Sequence, residues 1–186
     1  MKLPIIGILS GVALATLAIS SAAQAAILLP SLTPGSQYRL VFVTSGTRNA
    51  TSTNIADYNQ FVNNAAQAST NLNTALTTAG LTPSAINWTA IGSTATVNAR
   101  VNTATQTTDP SVPIYRVDGA QFETGNVNLW DSTKVRLSSL NITELGNSPT
   151  NFFVYTGTNS NGTTSSNELG DSIRTSFGRS NNSNNK

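Results

Sequence analysis

Asn159, Asn161, Gly162 and Glu168 stand at positions three, five, six and twelve of a stretch that begins at Gly157. That is the spacing of a calcium loop of the EF-hand type, in which side-chain oxygens at alternate positions converge on one cation. The first position of such a loop calls for a ligating Asp, and here it is Gly157. One carboxylate, Glu168, against a divalent ion gives weak binding at best. The residues before the loop, 152–156, read as a strand and not as a helix, so the expectation is a glycine-containing hairpin or loop. Asn159, Asn161 and Glu168 are the candidates for a weak metal site, and no cofactor is expected.

The remaining chemistry is limited by what the chain lacks. It has no His and no Cys, so the common nucleophile–base pairs and the usual zinc ligand sets cannot be built. Acid–base work would fall to carboxylates, with Asp118, Asp131, Glu144, Glu168 and Asp171 as the pool. A glycosidase needs two of them about 5 to 9.5 Å apart across a sugar. Nothing in their spacing forces such a pair, and Asp118-Gly119 is explained by turn chemistry alone. Trp88, Trp130 and Tyr155 could stack on sugars, but large aromatics in a domain of this size are expected in the core.

Charged residues make up 10% of the 186, against about 25% in a typical soluble protein; Asn, Ser and Thr take their place. The pI near 9.2 rests on a net charge of +2, of which Lys2 supplies one. The basic residues are scattered singly from Arg39 to Arg179, without the clustering that nucleic-acid binding needs. That class of partner is set aside. Without Cys there are no disulfides, so the fold must hold by packing.

The elements that would position these residues follow from periodicity and turn signals. Residues 38–44, rich in β-branched and aromatic side chains between Pro34-Gly35 and Ser45-Gly46, read as a central strand. Ile55, Tyr58, Phe61, Val62 and Ala65 recur at helical spacing, with Ser52, Thr53 and Asn54 as available caps. Leu72, Ala75, Leu76 and Ala79 continue to Gly80 as a second helix or a bent extension. Short strands are expected at 86–91, 113–117 and 152–156. Helices and strands do not alternate regularly, which argues for α+β.

Several segments fall in a recognisable order: 38–47; Ile55-Ala56-Asp57-Tyr58-Asn59; 88–95; Val97-Asn98-Ala99-Arg100; Val112-Pro113-Ile114-Tyr115; Leu129-Trp130-Asp131; and 154–162. This collinear set resembles a family of exported bacterial proteins that usually carry a C-terminal PEP-CTERM sorting signal. It is also similar to the endostatin-like branch of the C-type lectin fold. The resemblance implies one α+β domain over 26–177 that lacks its final strand, followed by a disordered Asn- and Ser-rich tail over 178–186. Endostatin-like domains carry disulfides, and one binds zinc through histidines; with neither Cys nor His present, that chemistry does not carry over. The implied function is a non-enzymatic binding or structural one at the cell surface or in the extracellular matrix. The implied partners are extracellular polysaccharide or surface proteins. The alternative is a carboxylate-dependent hydrolase acting on extracellular glycans.

The address is read from the N-terminus. Lys2 gives a positive start, residues 3–19 are almost uninterruptedly apolar, and Ala23-Gln24-Ala25 is a small-x-small cleavage signature. Gly7, Ser10 and Gly11 interrupt a run already short of the about 20 apolar residues a spanning helix wants. Residues 1–25 are therefore expected to be a signal peptide, with no membrane span in the mature chain. Cleavage falls between Ala25 and Ala26, and the product goes to the periplasm, cell surface or surroundings of a bacterium. Intact-mass measurement on protein recovered outside the cytoplasm should give a chain beginning at Ala26; a mass that retains residues 1–25 would overturn the reading.

Overall fold

In the computed structural model, residues 27–149, 152–171 and 177–181 are described, Phe152 and 177–181 through their backbone alone. The expected signal peptide with its Ala25/Ala26 junction, and residues 182–186 of the expected tail, lie outside the described residues.

The helical periodicity produces two helices. The first, α1 (Ile55–Ala68), opens on Asn54, whose Oδ1 accepts from Ala56 N at 3.0 Å. Asp57 in its first turn faces the positive helix end and accepts from Ser52 Oγ at 2.7 Å. Ser69 stops α1 and starts α2 (Thr70–Thr78): its N–H donates to Ala66 O, and its Oγ accepts from Leu72 N at 3.2 Å. The chain therefore breaks here into a second helix instead of bending. Gly80, at φ +77°, ends α2 with Gly80 N donating to Thr77 O and Leu81 N to Leu76 O, both at 2.9 Å. That pair of bonds is a Schellman motif.

Two small sheets accompany the helices. In the first, β1 (Arg39–Val41) runs parallel to β3 (Ile114–Arg116), which pairs antiparallel with β4 (Gln121–Glu123). Asp118-Gly119 closes the β3–β4 hairpin, Gly119 taking φ +84° and donating to Arg116 O at 3.0 Å. In the second, β6 (Phe177–Asn181) lies between β2 (Thr47–Arg48) and β5 (Phe152–Tyr155), antiparallel to both. Mixed, segregated helices and strands make this an α+β fold. Two short helices, α3 (Ala99–Asn102) and α4 (Asn126–Leu129), and a 3-10 turn at Pro83–Ala85 complete the described elements.

Three expectations are corrected. The strand within 38–44 is not central: in the order β1-β3-β4 it stands at the sheet edge, because its pairing with β3 satisfies one side and no described strand lies on the other. Residues 86–91 join no ladder: Trp88 N and Ala90 N donate instead to the side chains of Asn63 and Asn59 on α1. The tail expected to be disordered from Gly178 instead contributes strand β6 through 178–181. Main-chain bonds to β5 and β2 carry that strand, which an apolar pattern could not reveal.

The apolar side chains gather in three clusters. One joins Ala66, Leu72, Leu76 and Trp88 with Val117 and Ile142, and Leu40 and Phe42 pack against it. Phe42 meets Trp88 edge-on, ring centroids 5.0 Å apart, a favoured aromatic geometry. A second surrounds Ala50, Tyr58, Ala90 and Leu169. A third joins Val41, Ile114, Phe122 and Leu129. Leu76 is fully buried in the first cluster. Leu76→Ala should cost about 2–5 kcal/mol of unfolding free energy, read as a lower denaturant midpoint at unchanged slope; an unshifted midpoint would show that this cluster is not the core.

Candidate functional site

The 157–168 loop is a closed hairpin turn. Asn159 N donates to Thr163 O at 2.8 Å and Gly162 N to Asn159 O at 2.9 Å. The side chains proposed as ligands are part of that turn: Asn159 Nδ2 donates to Thr164 O at 2.8 Å, and Asn161 Oδ1 accepts from Thr163 N and Oγ1. Gly157 has a packing reason. At φ +64°, a Cβ there would lie 2.5 Å from Leu169 N and 2.8 Å from Ser93 O. Glu168 enters through its backbone carbonyl, which accepts from Asp171 N at 3.3 Å. Among the described residues no group of three or more Asp or Glu side chains gathers to hold a metal.

Three carboxylates of the pool, Asp118, Asp131 and Glu144, hold separate structural partners. Arg116 clamps Asp118 through Nε at 2.9 Å and Nη2 at 2.5 Å. Burial works to raise the Asp118 pKa, but the Arg116 hydrogen bonds and charge outweigh it and leave the carboxyl below its usual value. Asp131 accepts from Thr133 Oγ1 and N at 2.7 and 2.9 Å, bonds that likewise hold it low. Glu144, 3% exposed, accepts from Ser45 N at 2.8 Å and from Ser45 Oγ. Glu123, which the sequence reading passed over, is 2% exposed and meets Arg136 at 3.4 Å. The aromatics are structural too. Trp88 is core. Trp130 Nε1 donates to Thr105 O and Oγ1, Gly162 lies against its ring, and Tyr155 Oη donates to Asn167 O.

The feature that sequence reasoning missed is a cleft of about 820 Å³ beside β1. It opens between the helix-side cluster, represented by Val62 and Trp88, and the sheet-side cluster, represented by Phe122 and Leu129. Among the described residues Arg39 is the one charged side chain in its lining, and its guanidinium donates to Thr103 O at 3.3 Å and Ala104 O at 2.6 Å.

Its two long walls are main chain. On one, Arg39 N donates to Pro113 O, Val41 O accepts from Val117 N, and Val43 N donates to Ile142 O. Strand alternation turns the N–H and C=O groups of Tyr38, Leu40, Phe42 and Thr44 the other way, toward the cleft. On the other wall, Trp88 N and Ala90 N donate to Asn63 Oδ1 and Asn59 Oδ1, and Ala90 O accepts from Asn102 Nδ2. That two-residue repeat leaves the backbone of Asn87, Thr89 and Ile91 on the cleft side. Neither row meets a described main-chain partner across the cleft. Asn59 and Asn63 are one helical step of four apart, on one face of α1; that pair of amides was the available signal that a chain segment docks there.

Comparison of the chain with family models, with curated proteins and with solved structures finds no match in any of the three. Among the described residues no helix is long and apolar enough to cross a membrane. Because the loop amides are spent on the turn, melting temperatures in low-millimolar calcium and in excess chelator should agree. A rise of several degrees with calcium would restore Asn159, Asn161 and Glu168 as ligands.

Proposed function

We propose that this protein is an exported, non-enzymatic binding domain that works at a bacterial cell surface or in the extracellular matrix. Its fold is of the C-type-lectin-like, endostatin-like kind, with kinship to exported proteins that carry PEP-CTERM signals. The observation that carries the reading is the cleft beside β1: a concave, largely apolar site with a few polar groups is the usual form of a binding site. Among the described residues its lining holds no carboxylate. The dispersed carboxylates add support, since Asp118, Asp131 and Glu144 each have a structural partner. Over the rest of the surface, hydroxyls and amides in place of ions suit hydrogen bonding to the hydroxyl groups of envelope polysaccharides.

The rival, a glycan hydrolase, would need two of these carboxylates facing one sugar. Purified protein incubated with a panel of bacterial polysaccharides, peptidoglycan included, should be retained on one or more of them without releasing reducing ends. Release of reducing ends that disappears in Glu168→Gln would replace this reading with the hydrolase.

A further inference from the structure

We propose that the cleft is a strand-acceptor site, which takes an uncharged, extended segment of another polypeptide as a strand between β1 and residues 86–91. The proposal rests on the reading of the protein as a binding domain and names the ligand class of its cleft.

Tyr38, Leu40, Phe42 and Thr44 on one side, and Asn87, Thr89 and Ile91 on the other, present main-chain donors and acceptors to the same space, and all seven line it. Two facing rows of alternating N–H and C=O groups are what an inserted strand would pair with on both its edges. An alkyl chain or lipid tail would fill the volume and leave both rows unpaired. A sugar could reach some of the groups but would set its hydroxyls against Leu40, Phe42 and Trp88.

Size and polarity agree with that occupant. A strand rises about 3.3 Å per residue, lies about 4.8 Å from its neighbours and takes about 10 Å between packed layers, roughly 160 Å³ per residue. The cleft of about 820 Å³ therefore holds about five residues. Because apolar clusters lie on both sides, the inserted side chains would be apolar on both faces, the near-continuous aliphatic pattern of a buried strand. The Arg39 guanidinium is already engaged with two carbonyls, so no described residue of the lining asks for a charge. The rim reaches solvent at Leu81 and Val154, 36% and 41% exposed, which gives a segment from outside an apolar entry. The neighbouring strand β6 is already spent between β2 and β5.

The test is hydrogen exchange on the full chain, with a blocked heptapeptide of Val and Thr as probe and the same peptide with a central Pro as control. Pro removes a ladder donor and cannot sit within the strand. The Val/Thr peptide should slow exchange at the amides of Leu40, Phe42, Thr89 and Ile91 at least tenfold, and the Pro peptide should not. Equal protection by both peptides, protection by dodecanoate in place of the peptide, or full protection of these amides in the free monomer would each overturn the proposal. Protection that instead rises with protein concentration alone, together with a dimer in sedimentation, would assign the edge to self-association and overturn the separate partner. Retention on polysaccharide with no peptide-dependent protection would remove the strand site and leave the binding reading standing; loss of both would remove both.

Discussion

β1 is the hinge of this architecture because it faces two cores at once. Leu40 and Phe42 pack into the helix-side cluster while Val41 packs into the sheet-side cluster, so three consecutive residues join the two layers. Its main chain is bound on one side, to β3. A strand with apolar side chains on both faces belongs in the interior of a sheet, yet this one stands at an edge. The cleft, its apolar walls and its unpaired main-chain groups all follow from that mismatch. An open main-chain edge between apolar walls is a ready template for pairing with another chain.

With few ions and no disulfides, side-chain amides and hydroxyls hold the loops in register. Asn59 and Asn102 bond each other reciprocally at 2.9 and 2.8 Å, and between them take both main-chain groups of Ala90. Asn98 Oδ1 accepts from Thr164 N at 2.7 Å. Ser69 joins the α1–α2 junction to the 143–147 turn by donating to Glu144 O at 2.6 Å, while the Glu144 carboxylate holds Ser45 just past β1. Each such bond contributes about 1 kcal/mol net. They fix the chain where sheet ladders are short. The polar composition that looks featureless in sequence is thus part of the framework.

The helices were legible because their cause is local. Apolar spacing, the cap Asn54 and Gly80 as a stop are all within a few residues of what they control, and α1 and α2 appear where that spacing lies; at Ser69 the spacing alone leaves open a second helix or a bent extension. The strands within 38–44, 113–117 and 152–156 were legible as extended, since β-branched and aromatic runs between turn residues need no partner to be recognised. The Asp118-Gly119 turn followed from the same chemistry. Less could be read of the site. The calcium spacing in 157–168 was real as a pattern, but Gly157 is there for backbone contact with Ser93 and Leu169, and the Asn side chains serve the turn.

By itself, then, the sequence determined where the helical spacing begins and where Gly80 stops it, the extended segments, the absence of thiol and imidazole chemistry and the sparse charge. The tertiary structure alone decided which strand is an edge, that β4 and β6 exist, that Glu123 and Glu144 are buried, and that a cleft lies beside β1. The physical reason is range. Periodicity and capping act between residues three or four apart, whereas the partner of Leu40 is Tyr115 and that of Val43 is Thr143. Strand β6, Phe-Gly-Arg-Ser-Asn, pairs through main-chain groups that every residue carries, so no side-chain pattern announces it.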